Sequence, residues 1–181
     1  MKKINSRGWT ILEITIALTI FTLLGVAITT LYATGSTLMQ ISENKLLLQQ
    51  QCRISLDRVL KELRLARASS VTINAEENSI TFQIPESVDG NSGAITWSAP
   101  ITYAVGGLNN TQLIRTQAGA ADIVMANDIN NVSTDVNRLR FTGNIPANPS
   151  LITVTMSMTR QTLGGHPSVA TLSGQARVRN P

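Results

Sequence analysis

The chain reads as an α+β protein, one long N-terminal helix laid on an antiparallel β-sheet headpiece, on three observations. No proline precedes Pro85, so nothing forces a break in the first third of the chain. Apolar residues recur at three- and four-residue steps as far as Ala66, the period of one helix face. Beyond Val71 the period becomes two, with apolar side chains alternating against hydroxyl-rich or charged ones. Helix followed by strands is an α+β order.

The first element is the apolar run. After Glu13 no charged side chain occurs until Glu43. Residues 14–32 come close to the roughly 20 apolar residues that a membrane span requires. Thr15, Thr19, Thr22, Thr29 and Thr30 interrupt it, but a threonine hydroxyl can bond back to the preceding turn and sit in lipid. Three readings fit this run. A cleaved secretory signal would use Ala33-Thr34-Gly35, yet the run is long and Glu13 interrupts its start. A plain anchor has no use for Glu13, because a carboxylate in lipid carries an insertion cost. An assembling subunit does have a use for it, since the positive end of another chain would neutralise it.

The amphipathic continuation comes next. Leu48, Cys52, Leu56, Val59, Leu63 and Ala66 form one stripe, with Arg53, Asp57, Lys61 and Arg64 off it, and Asp57 with Lys61 at pair spacing. One helix is expected over residues 10–68, with Gly25 and Gly35 as soft points. Strands are expected where Ile80, Phe82 and Ile84 alternate, and again at Ile152, Val154, Met156 and Met158. A third stretch alternates through Leu172, Gly174, Ala176 and Val178. Residues 101–105 and 112–116 flank Gly106-Gly107-Leu108-Asn109-Asn110 as a hairpin, and Leu139 with Phe141 marks a short strand. Residues 88–93, 118–121 and 143–149 read as loops.

Composition adds bounds. The 181 residues suffice for one domain with a core plus an anchor, and the formal charge is +4. Without Lys2, Lys3 and Arg7, 12 basic side chains face 11 acidic ones, so the basicity belongs to the N-terminal segment and does not point to nucleic acid. Those positive charges are expected to stay cytoplasmic, with everything after the helix exported. Cys52 is the only cysteine, which excludes an intrachain disulfide and a cysteine-based metal site.

The hexapeptide Gly8-Trp9-Thr10-Ile11-Leu12-Glu13, after a short basic leader and before the apolar run, resembles the class III signal peptide of type IV pilins and type II secretion pseudopilins. The resemblance implies cleavage between Gly8 and Trp9 by a prepilin peptidase and N-methylation of Trp9, which stands where the family has phenylalanine. It implies that Glu13 serves filament assembly by pairing with the N-terminus of the adjacent subunit. It implies as partners other pilin or pseudopilin subunits, an inner-membrane assembly platform and the membrane itself, with a periplasmic headpiece. The family proline would fall at Thr30, so a more continuous helix is expected. Residues 53–58 through Arg64, the hairpin ending Leu113-Ile114-Arg115-Thr116 and the closing Ala176-Arg177-Val178-Arg179-Asn180 look like J-type minor pseudopilins and PilW-type minor pilins. The chain then divides into a leader (1–8), a transmembrane or filament-core helix (9–35), its amphipathic half (36–68) and a β-rich headpiece (69–181).

Catalytic constellations are not expected. His166 is the only histidine and sits in a turn-like Gly164-Gly165-His166-Pro167. Cys52 lies on the apolar stripe, where a buried structural thiol is expected. Glu76-Glu77-Asn78 and Asp89-Gly90-Asn91 offer oxygen ligands for calcium, but neither has an ordered ligand-loop spacing and turn chemistry explains both. Arg138, Arg140, Arg177 and Arg179 read as edge protection, and Trp97 with Tyr103 is too little for a stacking platform. No phosphate loop is present. The expected function is that of a minor structural subunit of a pilus-like filament, not an enzyme. The alternatives are a filament-tip binding module, adhesin or DNA-uptake pilin, and a simple anchored periplasmic domain.

Overall fold

From Ile11 to Leu65 the backbone is a single helix, α1, unbroken at Gly25, Thr30 or Gly35. The structure, a computed structural model, describes residues 10–130, 138–144, 149–161 and 167–178. The chain divides into two units, residues 1–42 and 43–181. In the described part of the first unit every residue after Thr10 is helical, and the side chains are almost all exposed. No proline interrupts this run, and its two glycines each cost a helix only about 1 kcal/mol, which accounts for its continuity.

In the second unit, the helical stripe predicted from spacing is the buried one. Leu48, Cys52, Val59, Leu63 and Ala66 are fully buried and Leu56 nearly so, while Arg53, Asp57, Lys61 and Arg64 face solvent. Asp57 and Lys61 form no ion pair, in keeping with how little an exposed i,i+4 pair contributes. The helix stops at Leu65, three residues short of the expected end, and a 3-10 turn over Ala68–Ser70 leads into the strands.

Among the described residues ten strands follow: β1 (Thr72–Ile73), β2 (Ser79–Phe82), β3 (Pro85–Val88), β4 (Ile95–Trp97), β5 (Ile101–Gly106), β6 (Gln112–Gln117), β7 (Ile123–Ala126), β8 (Arg140–Gly143), β9 (Leu151–Gln161) and β10 (Pro167–Arg177). They pair antiparallel throughout. Five of them form a sheet in the order β1-β2-β5-β6-β7, three form β10-β9-β8, and β3-β4 is a separate ribbon. The alternation seen in the sequence is the burial pattern: Ile80, Phe82, Ile152, Val154, Met156 and Met158 are fully buried.

The expected hairpin between β5 and β6 turns through a 3-10 segment, Leu108–Asn110, entered from Gly107 at φ 68°. Beside it Asn109 and Asn110 also adopt positive φ, which asparagine tolerates best among residues with a side chain. The ribbon β3-β4 and the strand β7 had no clear alternation in the sequence. The ribbon's strands are largely exposed on both faces, and β7 joins the sheet through a register shift between Leu113 and Ile114.

The core lies between α1 and the sheets. Phe82 and Tyr103 stack with ring centroids 6.0 Å apart at 13°. The Cys52 thiol donates to Met156 O on β9 at 3.4 Å, and Ser55 Oγ donates to Met125 O on β7 at 2.8 Å. Together with Glu62, which receives Arg115 Nε of β6 at 3.1 Å, these contacts tie three turns of one helix to three strands.

Candidate functional site

Of the residues singled out by sequence, Glu13 falls in the first turn of α1. Gly8 and Trp9 lie outside the described residues; Glu13 lies inside them. Its carboxylate accepts the Thr10 backbone N–H at 3.0 Å and the Thr10 hydroxyl at 3.3 Å, while the Glu13 N–H donates to Thr10 Oγ1 at 3.2 Å. This is a reciprocal capping box, in which the N-cap threonine and the glutamate three residues on satisfy each other's orphan backbone donors. The carboxylate also sits at the positive end of the helix dipole. Sequence reading assigned Glu13 to a partner and missed Thr10, although the Thr-x-x-Glu spacing ahead of an apolar run is a capping signature.

Beyond Glu13 the helix is long and apolar enough to cross a membrane, by length and composition, and its most apolar window has no buried residue. Ile11, Leu18, Phe21, Leu23, Val26, Ile28 and Leu31 are each more than half exposed. Every threonine hydroxyl in this stretch bonds to its own helix: Thr15 to Leu12 O at 2.9 Å, Thr19 to Thr15 O at 2.8 Å, Thr22 to Thr19 O at 2.8 Å. Thr29 and Thr30 do the same with Val26 O and Ala27 O. Main-chain and hydroxyl groups are thereby satisfied internally, the condition that a hydrocarbon environment sets.

The other sequence candidates resolve into structural roles. Cys52 is fully buried, and burial pushes its thiol up to about 11, far from a nucleophile. In the Glu76-Glu77-Asn78 turn, Glu76 accepts Asn78 Nδ2 at 2.8 Å, and Glu77 pairs with Arg140. The Asp89 carboxylate accepts the Asn91 N–H at 2.9 Å and the Ser92 hydroxyl at 2.8 Å, bonds that hold its pKa below the usual carboxylate value. Among the described residues, no group of three or more His, Cys, Asp or Glu stands where it could hold a metal. His166 and Arg179 lie outside the described residues.

Arg138 donates to Glu76 O at 2.9 Å and, with the Arg140–Glu77 pair, braces the outer edge of β8. Trp97 carries the Arg67 guanidinium at 5.4 Å from its ring centroid, which ties the β3-β4 ribbon to the end of the helix. Tyr103 is wholly buried and so cannot stack on any ligand. A shallow groove in the second unit is lined by Leu47, Gln50, Ile54, Ser55, Met125 and Arg160. Two of its polar side chains are already engaged, Ser55 with Met125 O and Arg160 with Asp128 at 2.5 Å.

Compared with protein-family models, with curated proteins and with solved structures, the chain matches none.

Proposed function

We propose that this chain is a minor structural subunit of a type IV pilus-like filament, processed by a prepilin peptidase between Gly8 and Trp9 and assembled through its N-terminal helix. The observation that carries the reading is the exposed stretch of α1 over residues 14–42, which bears no charge and is preceded by a single carboxylate, Glu13, near the start of the helix. Such a surface is at home in lipid or among like helices. Within a bundle of such helices a buried carboxylate without a positive partner is strongly destabilising, so pairing with a neighbour's N-terminal amine would select one axial offset. The folded unit would be carried on the periplasmic side of the inner membrane and then on the filament surface. Energy for extrusion would come from a separate motor.

A second reading, a simple anchored domain, is favoured by the capping box, which gives Glu13 an intramolecular task that needs no neighbour. The two are separated by the intact mass and N-terminal sequence of the membrane-extracted protein, with and without a co-expressed prepilin peptidase. A chain beginning at methylated Trp9 supports the filament subunit. Met1 retained in both samples leaves only the anchored domain.

A further inference from the structure

Among the described strands, the outer edge of β10 is built unlike every other edge in the folded unit. Its register with β9 is continuous over eleven residue pairs, from Pro167 opposite Gln161 to Arg177 opposite Leu151. The direction of its backbone groups follows from β9. Ser157 O accepts Asn130 N–H at 2.8 Å, Thr159 N–H donates to Asp128 O at 2.8 Å, and Leu151 O accepts Asn144 N–H at 3.1 Å. The odd-numbered residues of β9 therefore bond away from β10, and its even-numbered ones bond toward it. By the register, Ala170, Leu172, Gly174 and Ala176 of β10 answer them. Val169, Thr171, Ser173, Gln175 and Arg177 are left with N–H and C=O directed outward. Among the described residues, no turn, loop or cap hydrogen bond reaches residues 169–177.

Other edges carry the usual protection. β1 has two residues, β7 joins through a register shift, and the β3-β4 ribbon is short and irregular at Pro85. β8 gives its outward Phe141 N–H to Glu77 O at 2.7 Å. β10 has no bulge, no proline after Pro167 and no charge before Arg177. A long regular edge of this kind is a template for strand addition.

We propose that β10 receives an extended strand of a different polypeptide along residues 169–177, uncharged over most of its length and carrying a carboxylate that meets Arg177. The main-chain groups of the five outward residues supply the affinity, and the exposed side chains Val169, Thr171, Ser173 and Gln175 supply the uncharged selectivity. Arg177 is exposed and forms no ion pair among the described residues, so an acidic side chain on the incoming strand would gain a partner. This inference concerns the folded unit alone and does not depend on the filament reading.

The test titrates the full chain in detergent against a fluorescent peptide of alternating Thr and Val with one Asp aligned to Arg177. The same peptide N-methylated at alternate residues serves as its control. Saturable binding is expected, weakened about tenfold or more by N-methylation. Ser173→Pro should weaken it similarly with an unchanged circular dichroism spectrum, because an edge strand tolerates proline where its N–H points outward. Arg177→Glu should switch preference to the peptide with Lys in place of Asp. Absence of binding to the wild-type chain, or equal binding by Ser173→Pro and Arg177→Glu, would overturn the proposal. A wild-type dimer that Ser173→Pro dissolves would overturn it too, since the edge would then belong to a second copy.

Discussion

Gly174 on β10 lies directly against Leu60 of the helix: a Cβ on Gly174 would stand 2.5 Å from Leu60 Cδ1 and 3.5 Å from Leu56 Cδ2. The glycine thus sets how closely helix and sheet approach. Gly174→Ala forces only the end of a flexible side chain to turn, at a cost of about 1 kcal/mol, and Gly174→Val costs about 1–3 kcal/mol. In a Leu60→Ala background the order should invert, with Gly174→Ala neutral or stabilising, because its methyl enters the space vacated. Thermal unfolding of the four-member cycle reads this coupling, and additive losses would show that the contact does not limit the packing.

Tyr103 poses a different problem. It is fully buried on β5, and its hydroxyl, although close to the Glu62 carboxylate, makes no hydrogen bond of good geometry. The nearby Glu62 carboxylate is taken by Arg115 Nε at 3.1 and 3.2 Å, a pair whose side chains are only 18% and 11% exposed. Tyr103→Phe removes an unsatisfied buried group and keeps the ring stacked on Phe82, so it should raise stability by about 1 kcal/mol. Glu62→Ala should do the opposite, by about 3 kcal/mol, since it strands the Arg115 charge. Denaturant midpoints at constant m-value compare the two, and a destabilised Tyr103→Phe would mean that the hydroxyl is paired in solution.

Alkaline pH should unfold the protein through two groups. Burial raises the Cys52 thiol from its ordinary value to about 11, and burial with the Glu62 charge raises the Tyr103 phenol as well. Each folded-state value exceeds the unfolded one, so the stability they contribute is whole below pH 9 and is lost as pH rises. The Cys52 part declines between about pH 9 and 11, and the Tyr103 part begins near pH 10 and continues upward. Cys52→Ala should flatten the first segment of the stability-pH curve, and Tyr103→Phe the second. In the native protein at pH 8, Cys52 should react with iodoacetamide only as fast as the chain unfolds.

The helix and the major strands were legible because they bury one face: a stripe of Leu48, Cys52, Leu56, Val59, Leu63 and Ala66 has one period, and Ile152, Val154, Met156 and Met158 another. β3 and β4 escaped since a ribbon exposed on both faces imposes no alternation, and β7 since its four residues enter the sheet across a register shift. At the candidate site the lone carboxylate was legible from charge patterning. Its bond to Thr10 is less legible, because the short-range capping signal Thr-x-x-Glu lies inside a longer motif that already gives Glu13 a role. The unpaired edge of β10 could not be read at all, since which strands neighbour one another is decided by topology and not by any local pattern.

Thr10 and Glu13 allow the helix cap to be separated from the filament role. Glutamine can replace glutamate in a capping box, so Glu13→Gln should preserve the helix start while removing the charge. Thr10→Val removes the accepting hydroxyl and should loosen the first turn by about 1 kcal/mol, seen as faster amide exchange at residues 11–14. If Glu13 sets axial register, Glu13→Gln inserts into the membrane normally and is processed, yet enters filaments poorly. Thr10→Val keeps the carboxylate and should be incorporated better than Glu13→Gln despite its frayed end. Quantifying both variants in sheared filaments against total membrane protein decides the matter. Should the ranking reverse, with Glu13→Gln incorporated as wild type and Thr10→Val lost, the carboxylate serves the helix end alone and its charge has no part in assembly.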